Sequence, residues 1–164
     1  MTSRFHRRSD WPAFEQAAPG VIAALRMLGK AVDDSGLDKS LTELLKVRAS
    51  QINGCAFCLQ FHLNLARKLG LAPAKIDLVA TWREADVFSA RERAALAWTE
   101  ALTLMAQQHV ADALYAELQA AFTESEIAFL TTAVGAINAW NRIAGALQFS
   151  PPIPADQAAE RRKS

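Results

Sequence analysis

The sequence predicts an all-α fold of about seven or eight helices in a single domain. Ala, Leu, Glu, Arg and Gln, which favour helices, dominate the chain, whereas runs of β-branched residues are scarce. Glycine and proline lie mostly between segments of helical periodicity, where they end one helix or begin the next. A chain of 164 residues is long enough to bury a core without support from disulfides or metals.

In the first half of the chain, breaking residues set the predicted helix boundaries. Proline fits the first turn of a helix, and glycine or asparagine commonly follows the last turn. The predicted helices begin at Pro12, at about Val21, at Leu37–Asp38, at Cys55 and at Pro73, with breaks at Pro19–Gly20, 33–36, Asn53–Gly54 and Gly70.

In the second half, two capping boxes mark helix starts. Ser89 with Glu92, and Thr123 with Glu126, have the spacing in which each side chain caps the other's backbone N–H. The first box predicts a helix to about Gln107 and the second a helix to about Leu147, with a further helix over 111–122. We therefore expect a flexible N-terminus over 1–10, a helical domain over 11–149 and a mobile C-terminal tail over 150–164.

Charge and hydropathy exclude several classes of function. Eighteen Lys and Arg residues against seventeen Asp and Glu give a net charge of +1, which predicts no nucleic-acid partner. The apolar stretch over 21–28 is interrupted by Arg26 and is far shorter than the ~20 residues that span a bilayer. No signal-like segment follows the basic N-terminus, so the sequence predicts a cytoplasmic protein without a membrane partner.

The two cysteines, Cys55 and Cys58, form the most informative motif. In a reducing compartment a CxxC pair more often serves redox chemistry or metal binding than structure. On a helix, Cys55, Cys58 and His62 share one face, and the pair lies in the first turn after Asn53–Gly54. Helix N-termini and neighbouring imidazoles lower the pKa of a thiol, so this motif favours an activated thiolate.

Glu43 is the predicted partner of this motif. It lies on the preceding helix, and the break at Asn53–Gly54 allows that helix to fold back toward the thiols. The carboxylate would then join His62 in a proton relay. An alternative is that Ser40 and Glu43 form a capping box, although Leu37–Asp38 is the better helix start and leaves Glu43 inside the helix.

Two other interpretations of the cysteines remain open at this stage. In the first, Cys55, Cys58 and His62 are the three protein ligands of a catalytic zinc; a closed structural site needs four, so the sequence predicts no metal. Alternatively, both thiols are inert apolar side chains of the core.

The segment from Glu43 to Cys58, followed by His62, resembles the motif of the AhpD-like alkylhydroperoxidases of the carboxymuconolactone decarboxylase superfamily. That motif is a Glu, eleven residues, CxxC, three residues and a His, and every position is present. Residues 137–142 resemble a helix near the end of the small members of that group, so the resemblance extends over roughly 35–147.

The resemblance implies an all-helical fold that assembles into trimers or hexamers and works without flavin, metal or haem. It implies that Cys58 attacks the peroxide, that Cys55 is the resolving thiol, and that Glu43 and His62 relay protons. One position departs from the pattern: the best-characterised members have a His immediately before the second cysteine, where this chain has Phe57.

The resulting hypothesis is a peroxidase that reduces organic hydroperoxides and is recycled by a dihydrolipoyl or thioredoxin-like dithiol protein. Phe57, Leu59 and Phe61 around the thiols favour an apolar substrate. The alternatives are a disulfide reductase or exchange protein with incidental peroxidase activity, and a non-enzymatic helical oligomer.

Overall fold

A computed structural model of the chain describes residues 8–155. Within this range all regular structure is helical, as predicted, and consists of eight α-helices and one short 3₁₀ helix. The helices are α1 (Trp11–Ala17), α2 (Pro19–Asp34), α3 (Lys39–Ile52), α4 (Ala56–Lys68), α5 (Pro73–Leu78), α6 (Ala90–Thr103), α7 (Asp112–Ala121) and α8 (Glu124–Leu147), with the 3₁₀ helix over Val79–Thr81. The parts of the predicted flexible ends over 1–7 and 156–164 lie outside the described residues.

The helix starts follow the capping residues. Both capping boxes form, with Ser89 at the start of α6 and Thr123 at the start of α8. Asp38 caps α3 by accepting a hydrogen bond from the backbone N–H of Ser40 at 2.9 Å. Glu43 therefore lies inside α3 and has no part in a capping box.

Two predicted boundaries were wrong by a few residues. Helix α2 begins at Pro19 and not at Val21, because a proline at the first helical position leaves no N–H without a partner. Helix α6 ends at Thr103 and not near Gln107. Residues 105–109 are all exposed, so no packed face stabilises a further turn there.

Helix α3 lies at the centre of the fold and packs against α4, α6 and α8. Its side chains Leu44, Leu45 and Val47 are each 1% exposed and belong to the main core. A buried polar cluster secures the same region: Glu100 of α6 accepts hydrogen bonds from Arg48 at 2.7 Å and from the Trp82 indole at 2.9 Å. The hydrogen bonds remove the cost of burying the Glu100 carboxylate between helices.

The chain reverses between α3 and α4. Gly54 has a φ of +63°, a left-handed conformation that side-chain-bearing residues rarely adopt. The N–H of Cys55 then donates to the carbonyl of Ser50 at 3.1 Å, and α4 runs back along α3. This hairpin places the start of α4 beside the end of α3.

The ends of the described chain lie against the helices. The N–H of Ser9 donates to the carbonyl of Leu147 at 3.1 Å. The Asn64 side chain donates to the carbonyl of Pro152 at 2.9 Å. Over residues 8–155, none of the helices combines the length and the apolar composition needed to cross a membrane.

We expect Leu44→Ala to lower the free energy of unfolding by about 2–5 kcal/mol, because the side chain is completely enclosed and its removal leaves a cavity. Leu78→Ala, at a position that is 40% exposed, is the matched control and should cost about 0.5 kcal/mol or less. Urea denaturation of both variants measures the difference, and equal losses would contradict the central position of α3.

Candidate active site

The two thiols lie at the N-terminus of α4. Cys55 is the N-cap residue, and its sulfur accepts a hydrogen bond from the backbone N–H of Cys58 at 3.3 Å. Both side chains are almost fully buried, at 2% and 3% exposed, and no disulfide joins them in this structure. A helix N-terminus directs free N–H groups at an atom in this position, so negative charge on Cys55 is stabilised there.

The two thiols hold their protons with very different strength. The pKa of Cys55 is lowered to about 7, chiefly by a hydrogen bond from the Cys58 thiol. The backbone N–H groups of Cys58 and Phe57 and the Asn141 side chain lower this pKa further, whereas burial raises it. The same hydrogen bond to Cys55, burial and the nearby negative charge all raise the pKa of Cys58 far above its ordinary value. Near neutral pH the pair therefore readily loses one proton, and Cys58 keeps the other while it donates to the Cys55 thiolate.

Glu43 and His62 form the second half of the site. The Glu43 side chain is 1% exposed, and its Oε2 lies 2.6 Å from His62 Nδ1 while its Oε1 accepts from Lys46 Nζ at 2.8 Å. Burial alone would raise the pKa of Glu43, but the hydrogen bonds and charges of His62 and Lys46 outweigh burial and lower it to about 2. The carboxylate is ionised at neutral pH and can only accept, so Nδ1 of His62 is the donor and Nε2 is left to exchange protons.

A cavity of about 570 Å³ connects the two halves. Cys58 and His62 both line it, whereas Cys55 lies behind Cys58. Its walls are mostly apolar and come from α1, α2, α4 and α8, and they include Trp11, Leu25, Phe57, Phe61, Ile137 and Trp140. Arg26 and Lys46 supply positive charge at the same cavity.

Aromatic rings build the wall beside the thiols. Trp11 stacks on Phe57 with a centroid distance of 6.0 Å and lies 5.7 Å from Trp140. Phe57 also meets Phe149 edge to face at 5.4 Å. The residue between the cysteines therefore belongs to the cavity wall.

The structure brings all four predicted residues into one region, with one difference in their contacts. The hydrogen-bond partner of the Cys58 thiol is Cys55, whereas His62 bonds to Glu43 and shares only the cavity with Cys58. Within residues 8–155, no group of three His, Cys, Asp or Glu side chains is arranged to hold a metal ion.

Sequence reasoning missed Asn141, whose side-chain amide lowers the pKa of both thiols, and Lys46, which completes the pairing of Glu43. Lys46 was detectable, because it follows Glu43 by three residues on the same helix. Asn141 gave a weaker signal: with Asn138 it forms an i, i+3 pair of amides in a helix that is otherwise mostly apolar.

Comparison with known proteins identifies the family of the chain. Residues 19–101 match the model of the carboxymuconolactone decarboxylase family. The uncharacterized protein YdfG of Bacillus subtilis is 34% identical over 135 residues, which cover 82% of this chain and 92% of YdfG.

Two solved structures have the same fold. A protein of unknown function from Agrobacterium tumefaciens, proposed to be the antioxidant defence protein AhpD, is 38% identical and superposes with a TM-score of 0.85 over 91% of this chain and 100% of its own. An uncharacterized peroxidase-related protein from Silicibacter is 26% identical, with a TM-score of 0.72 over 82% of this chain and 71% of its own. The chain belongs to the carboxymuconolactone decarboxylase family and has the AhpD-like helical fold.

We expect one thiolate per chain to form with a midpoint near pH 7, as measured by absorbance at 240 nm, since the pKa of Cys55 is lowered to about 7. Cys55→Ser should abolish this step. Cys58→Ala should move it upward, because the hydrogen bond from the Cys58 thiol is lost. A wild type in which both thiols first ionise above the ordinary ~8.5 would contradict the assignment.

The Glu43 carboxylate makes stability depend on pH. Its pKa is lowered from 4.5 to about 2 in the folded state, so its contribution is complete above about pH 4.5 and is lost as the pH falls toward 2. Between pH 6 and pH 3 the wild type should lose about 2 kcal/mol of unfolding free energy from this group, and Glu43→Gln should not show this loss. Glu15→Gln, in an exposed ion pair with Arg26, is the control; denaturation curves with the same pH slope in Glu43→Gln and wild type would refute the prediction.

Proposed function

We propose that the protein is a thiol-dependent peroxidase that reduces organic hydroperoxides through Cys55 and Cys58. One observation carries the proposal: the Cys58 thiol, with Cys55 beside it, lines an apolar cavity, and an imidazole hydrogen-bonded to a buried carboxylate lines the same cavity. Membership of a family with peroxidase-related relatives supports it.

In the first step Cys58 is the nucleophile, because it lines the cavity and Cys55 does not. The Cys58 proton passes along the existing hydrogen bond to the Cys55 thiolate. The Cys58 sulfur then attacks the terminal oxygen of the hydroperoxide and the O–O bond breaks, so Cys58 becomes a sulfenic acid and an alkoxide leaves. Protonated His62, held by Glu43, gives its proton to the alkoxide and releases the alcohol.

In the second step Cys55 resolves the sulfenic acid. The Cys55 sulfur attacks the Cys58 sulfur, the S–O bond breaks, and the Cys55 proton passes to the departing hydroxide to form water. Two thiols and one hydroperoxide thus yield a disulfide, an alcohol and water. A dithiol donor of the dihydrolipoyl or thioredoxin-like class then reduces the disulfide by exchange.

The cavity favours organic hydroperoxides over hydrogen peroxide as substrates. Its aromatic and aliphatic walls gain free energy by burying an alkyl or aryl group, which hydrogen peroxide lacks. We therefore propose bulky organic hydroperoxides as the preferred substrates. We also propose a homo-oligomer, a trimer or hexamer, since Val21, Met27 and Leu28 of α2 leave apolar side chains exposed.

We expect the wild type to convert cumene hydroperoxide faster than hydrogen peroxide in a stopped-flow assay with a dithiol donor. Cys58→Ser should abolish turnover, since the attacking sulfur is gone. The Cys55→Ser protein should consume one equivalent of hydroperoxide per chain and then stop, and it should accumulate a Cys58 sulfenic acid that dimedone traps. His62→Ala and Glu43→Ala should each lower the rate by about 10²-fold or more, whereas His109→Ala, an exposed histidine, is the control.

Two outcomes would overturn the proposal: the absence of peroxide-dependent disulfide in the wild type, and equal rates for the wild type and Cys58→Ser. Negligible peroxide turnover together with a mixed disulfide on the remaining thiol of a cysteine variant would point to disulfide exchange with a thiol partner.

A further inference from the structure

We propose that Asn141 is a further catalytic residue: its side-chain amide donates to the sulfurs of the CxxC pair and stabilises the negative charge on them, and Asn53 holds that amide in the donating orientation. The side chain comes from α8 and is 4% exposed. Asn141 lies between Ile137 and Ala144 on the face of α8 that packs in one cluster with Cys55 and Cys58. From this position its side-chain amide favours the charged form of both thiols.

The remaining contacts of Asn141 fix which of its atoms faces the thiols. Its Nδ2 also donates to Ser50 Oγ at 3.0 Å, and its Oδ1 accepts from Asn53 Nδ2 at 2.8 Å. If the Asn141 amide were reversed, its NH₂ group would face the NH₂ group of Asn53, and neither could accept. The direction of the Asn53 amide therefore decides the direction of the Asn141 amide.

The direction of the Asn53 amide is decided in turn by Asn138. Asn138 Nδ2 donates to the carbonyl of Val134 at 2.9 Å, and Arg142 donates to Asn138 Oδ1 at 3.0 Å. A carbonyl can only accept and a guanidinium can only donate, so the Asn138 amide has one allowed orientation. Its Oδ1 then accepts from Asn53 Nδ2 at 3.0 Å, which leaves Asn53 as a donor to Asn141 and Asn141 as a donor to the sulfurs.

This chain of amides gives the site a donor that serves either sulfur. In the resting pair the charge lies on Cys55, and it moves to Cys58 as Cys58 attacks. Because the Asn141 amide lowers the pKa of both thiols, it stabilises the charge before and after this transfer without moving. This consequence for catalysis rests on the proposed function, whereas the effect of Asn141 on ionisation of the thiols does not.

The test compares the pH dependence of the thiol reaction with iodoacetamide in four proteins. Asn141→Leu, which keeps the volume and loses both donors, should raise the midpoint of the first ionisation by about one pH unit, a roughly tenfold fall in thiolate at pH 6. Asn141→Asp, which replaces the donor by a carboxylate, should raise it further. Thr103→Val is the matched control, because Thr103 accepts from Asn138 at the far end of the same cluster. Its loss leaves the other three side-chain contacts of Asn138, with Val134, Arg142 and Asn53, in place.

The other titratable groups at the cavity, Arg26, Lys46 and His62, and Glu43 behind them, are unchanged in all four proteins, so a shift reports the loss of the amide. A midpoint in Asn141→Leu equal to that of the wild type would overturn the inference. An equal shift in Thr103→Val would also overturn it, since the effect would then be structural. If the Asn141 variants do not fold, the side-chain amide resonance of Asn141 in ¹⁵N-labelled wild type decides: it must move with the first thiol titration, and a constant resonance refutes the proposal.

The iodoacetamide result also separates this inference from the proposed function. A shifted midpoint in a protein that does not reduce hydroperoxides would retain Asn141 as a thiolate donor and remove the peroxidase assignment. Peroxidase activity with an unshifted midpoint would retain the peroxidase assignment and remove Asn141 as a thiolate donor.

Discussion

The reversal of the chain at Asn53 and Gly54 brings the site together. Gly54 adopts a φ of +63°, and α4 runs back along α3 from that point. A Cβ atom added at Gly54 would meet nothing within 4 Å, so the requirement for glycine comes from the backbone conformation and not from crowding. The hairpin aligns Glu43 with His62 and puts Cys55 at the start of α4, where the free N–H groups lie. Neither half of the site exists without this turn.

The two halves stabilise negative charge by different means. Glu43 is 1% exposed and depends on the Lys46 ammonium and the His62 N–H, since a buried carboxylate without partners would be very costly. The thiolate depends on dipoles: the Cys58 thiol, backbone N–H groups and the Asn141 amide. A full positive charge beside the sulfur would hold it tightly as an anion and weaken it as a nucleophile, whereas dipoles lower the pKa only to about 7, near the pH at which it would react. In the proposed mechanism the halves meet only at the cavity, where the substrate would lie between Cys58 and His62.

The parts of the fold and site that depend on local sequence could be predicted. The capping boxes at Ser89 and Thr123 and the helix start at Asp38 are signals within four residues. The helix start at Asp38 placed Glu43 inside a helix. Residues that reach the site from distant elements could not be predicted: Trp11 comes from α1, and Asn141 lies 88 residues from its partner Asn53. No spacing rule connects positions so far apart, because their contact depends on how the helices pack.

Phe57 shows why position in a motif does not define a role. Sequence alone placed it between the thiols, where the resemblance gave a proton-transferring histidine. In the structure its ring lies between Trp11 and Phe149, at 6.0 and 5.4 Å, and lines the cavity that Cys58 faces. Phe57 is only half-buried, and its phenyl ring carries no group that exchanges protons. In the proposed mechanism proton transfer therefore falls to His62 and Cys55, and Phe57 acts on which substrates reach the Cys58 sulfur.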